Sequence, residues 1–155
     1  MSFENRESST PAIDAGKFFQ NEEFQKNYPQ VKIPPRCFVE SGARITEYEA
    51  NRSLTVEFSV HDSQTNPLGY LQGGILGSYF DNVFGPLSFV TMRKPCVSVD
   101  MNINFVRPVK PGEVVRIRAE FISRGRKLVQ LYAEAHNEKH KLVATATSNM
   151  MVYEP

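Results

Sequence analysis

The chain has 155 residues, 41% of them hydrophobic and 23% charged, a balance that suits one globular domain with its own core and excludes an intrinsically disordered chain. A formal net charge of +1 and a pI of about 7.8 exclude the global field that nucleic acid or an anionic membrane surface would need. The two cysteines, Cys37 and Cys96, lie far apart with no CxxC spacing, so no disulfide framework is predicted and a reducing, cytoplasmic setting is expected.

Residues 1–16 are polar and aperiodic and read as a loose tail. They carry acids where a secretory leader needs bases and an apolar run. No stretch of the chain approaches the ~18 consecutive apolar residues of a membrane span. The spacing of Phe18, Phe19, Phe24 and Tyr28 predicts one short helix over Lys17–Tyr28, ended by Pro29. Tail and helix make a first unit over residues 1–30, and residues 31–155 make the main domain. Gln30–Cys37 contains Pro34 and Pro35 and is predicted as an extended linker.

Strand signals are dense from Ser41 onward. Leu54, Val56, Phe58 and Val60 alternate with polar residues. One long helical pattern follows from about Gly73 to Met92, with Ile75, Leu76, Tyr79, Phe80, Val83, Phe84 and Leu87 forming an apolar stripe. Gly73, Gly77, Asp81 and Gly85 stand four apart in a second row, and Gly77 and Gly85 leave space along it for a substrate or a close neighbour. Interior glycines cost about 1 kcal/mol each relative to alanine, and Pro86 is expected to kink or break the helix near Gly85. Such a helix needs outside support, and a curved antiparallel sheet wrapped around it would supply that. Tyr79, Phe80, Phe84 and Phe89 suit either the core or an acyl pocket.

The second half of the chain reads as strands. Val97, Val99, Met101, Ile103 and Phe105 form one apolar face, with Ser98, Asp100, Asn102 and Asn104 opposite. Val115 to Phe121, Val129 to Ala135 and Leu142 to Tyr153 follow as strands with short turns, an antiparallel meander. From Met101 to Lys127 lie Arg107, Lys110, Arg116, Arg118, Arg124, Arg126 and Lys127 against only Glu113 and Glu120, a local basic face able to hold the phosphates of a small ligand. His136 and His140 bracket a turn and form no helical metal pair, so no metal is expected. Gly77-Ser78-Tyr79 lacks the nucleophile elbow of serine hydrolases, and Cys96 suits a small buried hydrophobe.

Several short motifs recur here in the order of one family. Asn66-Pro-Leu-Gly-Tyr-Leu-Gln72-Gly73-Gly74, Asp81-Asn82, Val97 to Ile103, Phe105-Val106-Arg107-Pro108 and Pro111-Gly112 resemble the hotdog-fold acyl-CoA thioesterases of the phenylacetic-acid-degradation and thioesterase-superfamily-member-2 type. The resemblance spans about residues 66–151. It implies an α+β hotdog fold, a curved antiparallel sheet wrapped around one long central helix. It further implies hydrolysis of acyl-CoA to free acid and coenzyme A, the latter part of the substrate, with no separate cofactor. Asp81 matches the nucleophile or general base, Gly73 the backbone N–H that binds the thioester carbonyl, Asn66 a group that polarises the thioester or positions water, and Ser98 the hydroxyl that orients the water. Gln72, Gly74 and Asn82 fall in the substrate-binding stretch. Arg107, Lys110, Arg124 and Arg126 are the candidate contacts to the phosphates of coenzyme A. The family reads His-Gly-Gly where this chain has Gln72-Gly73-Gly74, and glutamine cannot titrate.

Thioester hydrolysis needs a nucleophile at the carbonyl carbon and donors aimed at the developing oxyanion. Gly73 stands at a helix start, where free N–H groups and the dipole favour negative charge. Eight residues of helix put Gly73 about 12 Å from Asp81, whereas one reacting atom must sit about 3 Å from both. Two antiparallel copies of the helix meet that need. A homodimer, and on the family pattern a dimer of dimers, is therefore expected, with neither nucleic acid nor membrane as partner. Two rivals remain: a non-catalytic acyl-CoA-binding module, and an acyl-thioester hydratase or dehydratase whose nearest histidine would be His61.

Overall fold

The computed structural model describes residues 11–154. Residues 1–10 of the expected tail lie outside them. Three short helices come first, α1 (Ala15–Phe19), α2 (Glu22–Asn27) and α3 (Arg36–Glu40), then strands β1 (Arg44–Glu49) and β2 (Ser53–Ser59). The long helix α4 (Gly73–Met92) leads into β3 (Cys96–Phe105), β4 (Val114–Arg124), β5 (Leu128–His136) and β6 (Leu142–Val152). The strands form a six-stranded antiparallel sheet in the order β1-β2-β4-β5-β6-β3. This is the expected hotdog fold, with the meander β4-β5-β6 at its centre and α4 packed on one face.

The core is that face. Leu54, Val56, Phe58, Val115, Ile117, Ala119, Val129, Leu131, Ala133 and Ala135 meet Leu76, Tyr79, Phe80, Val83, Phe84 and Leu87 of α4, all buried. Tyr79, Phe80 and Phe84 are thus core residues, and only Phe89 of the four aromatic candidates is half-buried. Phe80 is fully buried, and Phe80→Ala is expected to lower stability by about 3–5 kcal/mol, read from the urea midpoint.

Four expectations change. Lys17–Tyr28 is two helices, because Asn21 accepts the Phe24 N–H at 2.9 Å and caps a new start. The linker is not extended to Cys37, since Pro35 caps α3, which begins at Arg36. Helix α4 runs unbroken through Pro86, which is buried within it. Strand β2 is buried on both faces, because Glu57 on its outer side lies beneath Arg44 and Arg116, at 3.2 and 3.6 Å.

A fifth, on β3, matters most for chemistry. Its pairing with β6 slips between Ser98 and Asp100. Below the slip Cys96 and Ser98 pair with the buried Val152 and Met150, and above it Met101, Ile103 and Phe105 pair with the buried Ser148, Ala146 and Ala144. A bulge at Val99 therefore puts Ser98 on the same face as Met101, Ile103 and Phe105, while Val97 pairs with exposed Met151 on the outer face. The strict alternation read over residues 97–105 is wrong by this one residue.

Candidate active site

The stretch before α4 is built by Asn66. Its Oδ1 accepts the N–H groups of Leu68 at 2.9 Å and Tyr70 at 3.2 Å, and Gly69 takes φ +79°. That loop leads to Gln72, whose side chain accepts the Ile75 N–H at 3.0 Å and caps α4. Gln72 is a helix cap in this structure, and a side chain at Gly74 would stand 2.9 Å from its Oε1. Gly73 and Gly74 fall in the first turn, where no intrahelical carbonyl receives their N–H groups.

A cavity of about 350 Å³ opens beside this helix start, lined by Asn66, Tyr70, Gly73, Phe105, Arg107 and Val109 among others. The loop is tied to it by the Leu71 N–H, which donates to the Val109 carbonyl at 2.8 Å. Arg107 is braced by a 2.6 Å hydrogen bond from Nη1 to the Leu142 carbonyl. Asn66 thus builds its own turn and also lines the cavity that holds Gly73.

The acid lies elsewhere. Ser98 donates its hydroxyl to Asp81 Oδ1 at 2.6 Å, a short hydrogen bond of the hydroxyl–carboxylate kind. The bulge at Val99 makes this possible by turning Ser98 towards the helix. Ser98 therefore holds one carboxylate oxygen of the exposed Asp81. Next to it, Asn82 Oδ1 accepts the Cys37 thiol at 3.5 Å.

The glycine row faces β3. A Cβ at Gly73 would stand 3.2 Å from the Phe105 ring, and one at Gly77 3.3 Å from Cδ1 of Ile103. The space expected at Gly77 is filled by the chain's own edge strand, whereas that expected at Gly85 is open. Within one chain the structure brings together Asn66, Gly73 and Arg107 at one end of α4, and Asp81 and Ser98 two turns further on.

The basic candidates divide in the same way. Arg107 lines the Gly73 cavity, and Lys110 sits exposed on the adjoining turn, its backbone N–H held by Glu113 at 2.6 Å. Arg124 lies over the Phe121 ring at 5.4 Å, and exposed Arg126 follows on the β4–β5 turn. That turn stands at the Ser98 end of β3, since Leu128 and Val97 both pair with Met151.

Other groups are otherwise engaged. The His61 side chain and Gln64 cap each other's backbone in the short turn Asp62–Gln64. Tyr79 donates to Gln64 at 2.8 Å, and burial pushes its hydroxyl pKa up. Burial likewise pushes the Cys96 thiol up to about 11, so Cys96 stays protonated at neutral pH. No helix among the described residues is long and apolar enough to cross a membrane, and none of their His, Cys, Asp and Glu side chains form a group that could hold a metal. The sequence reading missed Phe105 as the wall of the Gly73 cavity and Cys37 as the neighbour of Asn82. The aromatic beside the Arg107-Pro108 motif was a signal for the first, whereas nothing local marked the second.

Residues 68–144 match the family model of the thioesterase superfamily. Mouse acyl-coenzyme A thioesterase 13 is 35% identical over 97 residues, which are 61% of this chain and 69% of that protein. A phenylacetic acid degradation-related protein of Ralstonia eutropha JMP134 superposes with a TM-score of 0.72 at 31% identity, covering 85% of this chain and 100% of that one. A Streptococcus mutans protein solved bound to acetyl CoA has the same fold, with a TM-score of 0.69 at 22% identity over 80% of this chain and 94% of its own. Sequence shared with the mouse protein and a fold shared with the whole Ralstonia chain lead to one assignment: this chain belongs to the thioesterase superfamily, in its hotdog-fold form.

Proposed function

We propose that this protein hydrolyses acyl-CoA thioesters in a site shared by two copies of the chain, with Asp81 as nucleophile or general base and the Gly73 N–H of the partner subunit as oxyanion donor. The observation that carries the reading is the separation of two half-sites along α4 beneath a strand with an unpaired edge. Ser98 abuts Asp81, and Phe105 abuts Gly73. Strand β3 ends the sheet, and Val97, Val99 and Phe105 are exposed at 42%, 58% and 58%. Such an edge favours pairing with a second strand. An antiparallel pair of β3 strands with Ser98 opposite Phe105 of the partner subunit would bring Asp81 to Gly73 of the partner subunit. Arg107 and Lys110 of the partner subunit would then approach the Arg124–Arg126 turn, which gathers four cations for the phosphates of coenzyme A.

In this scheme the thioester carbonyl points at the Gly73 N–H. Asp81 draws a proton from water as that water attacks the carbonyl carbon, or attacks the carbon itself to form an anhydride that water then hydrolyses, and Ser98 holds the carboxylate in line. The C–S bond breaks as the oxyanion collapses, coenzyme A leaves as thiolate and takes up the proton that the water has lost, and the acyl group is released as free acid. Acyl-CoA as substrate is supported by the mouse relative, an acyl-coenzyme A thioesterase, and by the acetyl CoA bound to the Streptococcus mutans protein. The hydratase reading lacks its histidine, since His61 caps a turn.

The test is release of free thiol from a panel of acyl-CoAs, with light scattering on the same sample. Turnover by a particle of two or four chains is expected. Absence of thiol release from every acyl-CoA would favour the binding-module alternative, and full turnover by a monomer would refute the shared site. Arg126→Gln is expected to raise KM roughly fivefold for acyl-CoA, the scale of one exposed ion pair. It should leave the same acyl group on a short thiol carrier unaffected, and equal changes on both would remove Arg126 from phosphate binding.

A further inference from the structure

The third glycine of the row differs from the other two. A Cβ at Gly73 or Gly77 would meet the side chain of Phe105 or Ile103, but a Cβ at Gly85 would meet nothing within 4 Å. From a carbonyl carbon beside Asp81, the row is closed towards the helix start by β3 of the same chain. It is open towards Gly85, one turn further on.

The surroundings give this opening sides and an end. Asn82, Gly85 and Phe89 share a helix face at spacings of three and four. Cys37 of α3 meets Asn82 on one side. Phe89 packs edge-on against Phe24 at 4.3 Å and lies 6.0 Å from Phe19, which itself packs against Phe38 of α3 at 5.3 Å. This aromatic wall stands about 12 Å from Asp81 along the helix axis. Its N-terminal helices and α3 precede residues 68–144, the part that matches the family model.

We infer that Gly85 sets the length of the acyl group: the tail of the substrate runs from Asp81 over Gly85, alongside Cys37, and stops at Phe89. The inference rests on the thioesterase reading and adds the side of the site on which the acyl tail lies. A larger residue at position 85 fills the passage one turn past the acid, so long tails are rejected and short ones retained. Gly85→Ala introduces a better helix former into open space, so at least one variant of the pair folds.

The experiment compares wild type, Gly85→Ala and Gly85→Leu on acetyl-, hexanoyl- and dodecanoyl-CoA by thiol release. The ratio of kcat/KM for dodecanoyl- over acetyl-CoA is expected to fall about tenfold or more in Gly85→Leu and less in Gly85→Ala. A ratio unchanged in both variants overturns the inference while wild-type turnover upholds the thioesterase reading. A second measurement needs no turnover. Dodecanoyl-CoA bound to Asp81→Asn protein should slow alkylation of exposed Cys37 by iodoacetamide more than acetyl-CoA does, with half-buried Cys96 followed separately by mass spectrometry. Equal alkylation of Cys37 with either ligand at saturation also overturns it.

Discussion

Asp81→Asn is expected to lower acyl-CoA turnover by about 10³-fold, within the range for loss of a general base or nucleophile. Asparagine has nearly the shape of aspartate, and its side-chain carbonyl can still accept the Ser98 hydroxyl, now 2.6 Å from Oδ1. Fold and assembly should therefore persist, and the loss should fall on kcat. The measurement is steady-state thiol release beside a melting curve. A folded variant that retains about a tenth or more of wild-type kcat would take Asp81 out of the chemistry.

The second large effect concerns a backbone group, which side-chain replacement cannot normally delete. Gly73 is the first residue of α4, a position where proline is welcome because the missing N–H has no intrahelical partner. Gln72 before it has φ −68° and ψ 134°, the extended conformation that a residue preceding proline adopts. The exposed Phe105 ring, 3.2 Å from where a Cβ would stand, has only to move aside slightly. Gly73→Pro thus removes the donor and keeps the helix, at an expected loss of about 10²–10³-fold in kcat. Mixing this variant with Asp81→Asn gives heterodimers in which one site carries both lesions and the other carries neither. Two-fold symmetry then predicts recovery to roughly a quarter of wild-type activity in an equal, fully exchanged mixture. No recovery, with subunit exchange verified by native mass spectrometry, would separate Gly73 from Asp81.

Much of the scaffold was legible because periodicity survives in it. The α4 stripe from Leu76 to Leu87 and the strands Val115–Phe121 and Val129–Ala135 each bury one face, and burial writes its period into the residues. The small helices were harder. Their boundaries depend on single caps, Asn21 and Pro35, inside segments too short to show a period. Strand β3 misled for a different reason. Val97 and Val99 continue the apolar beat of Met101 and Ile103, yet a bulge between them changes which side each faces.

The candidate site divides along similar lines. Asp81, Gly73, Asn66 and Ser98 were found through motif order, and the geometry adds how they are held: Ser98 on Asp81, and Asn66 bent around its own loop. Gln72 was read as a substrate contact, and the geometry adds that it caps the helix, because a glutamine at the N-terminus of a helix can satisfy the Ile75 N–H itself. The neighbours Phe105 and Cys37 arise from chain segments distant in sequence; Phe105 was marked by its place beside the Arg107-Pro108 motif, whereas the pairing of Cys37 with Asn82 leaves no local trace.

The bulge at Val99 makes the protein's chemistry depend on strand pairing as well as composition. Met150 and Asn149 are consecutive and pair with Ser98 and Asp100, so Val99 has no partner of its own. Deletion of that one codon would leave Ser98 opposite Met150 and on the side of Met101, with its hydroxyl still towards Asp81. Drawing Val99 into the ladder would instead rotate the segment ahead of it by half a turn, set Val97 before Asp81 and send the Ser98 hydroxyl to the far side of the sheet. The position should therefore tolerate loss as well as substitution, provided the segment keeps its register.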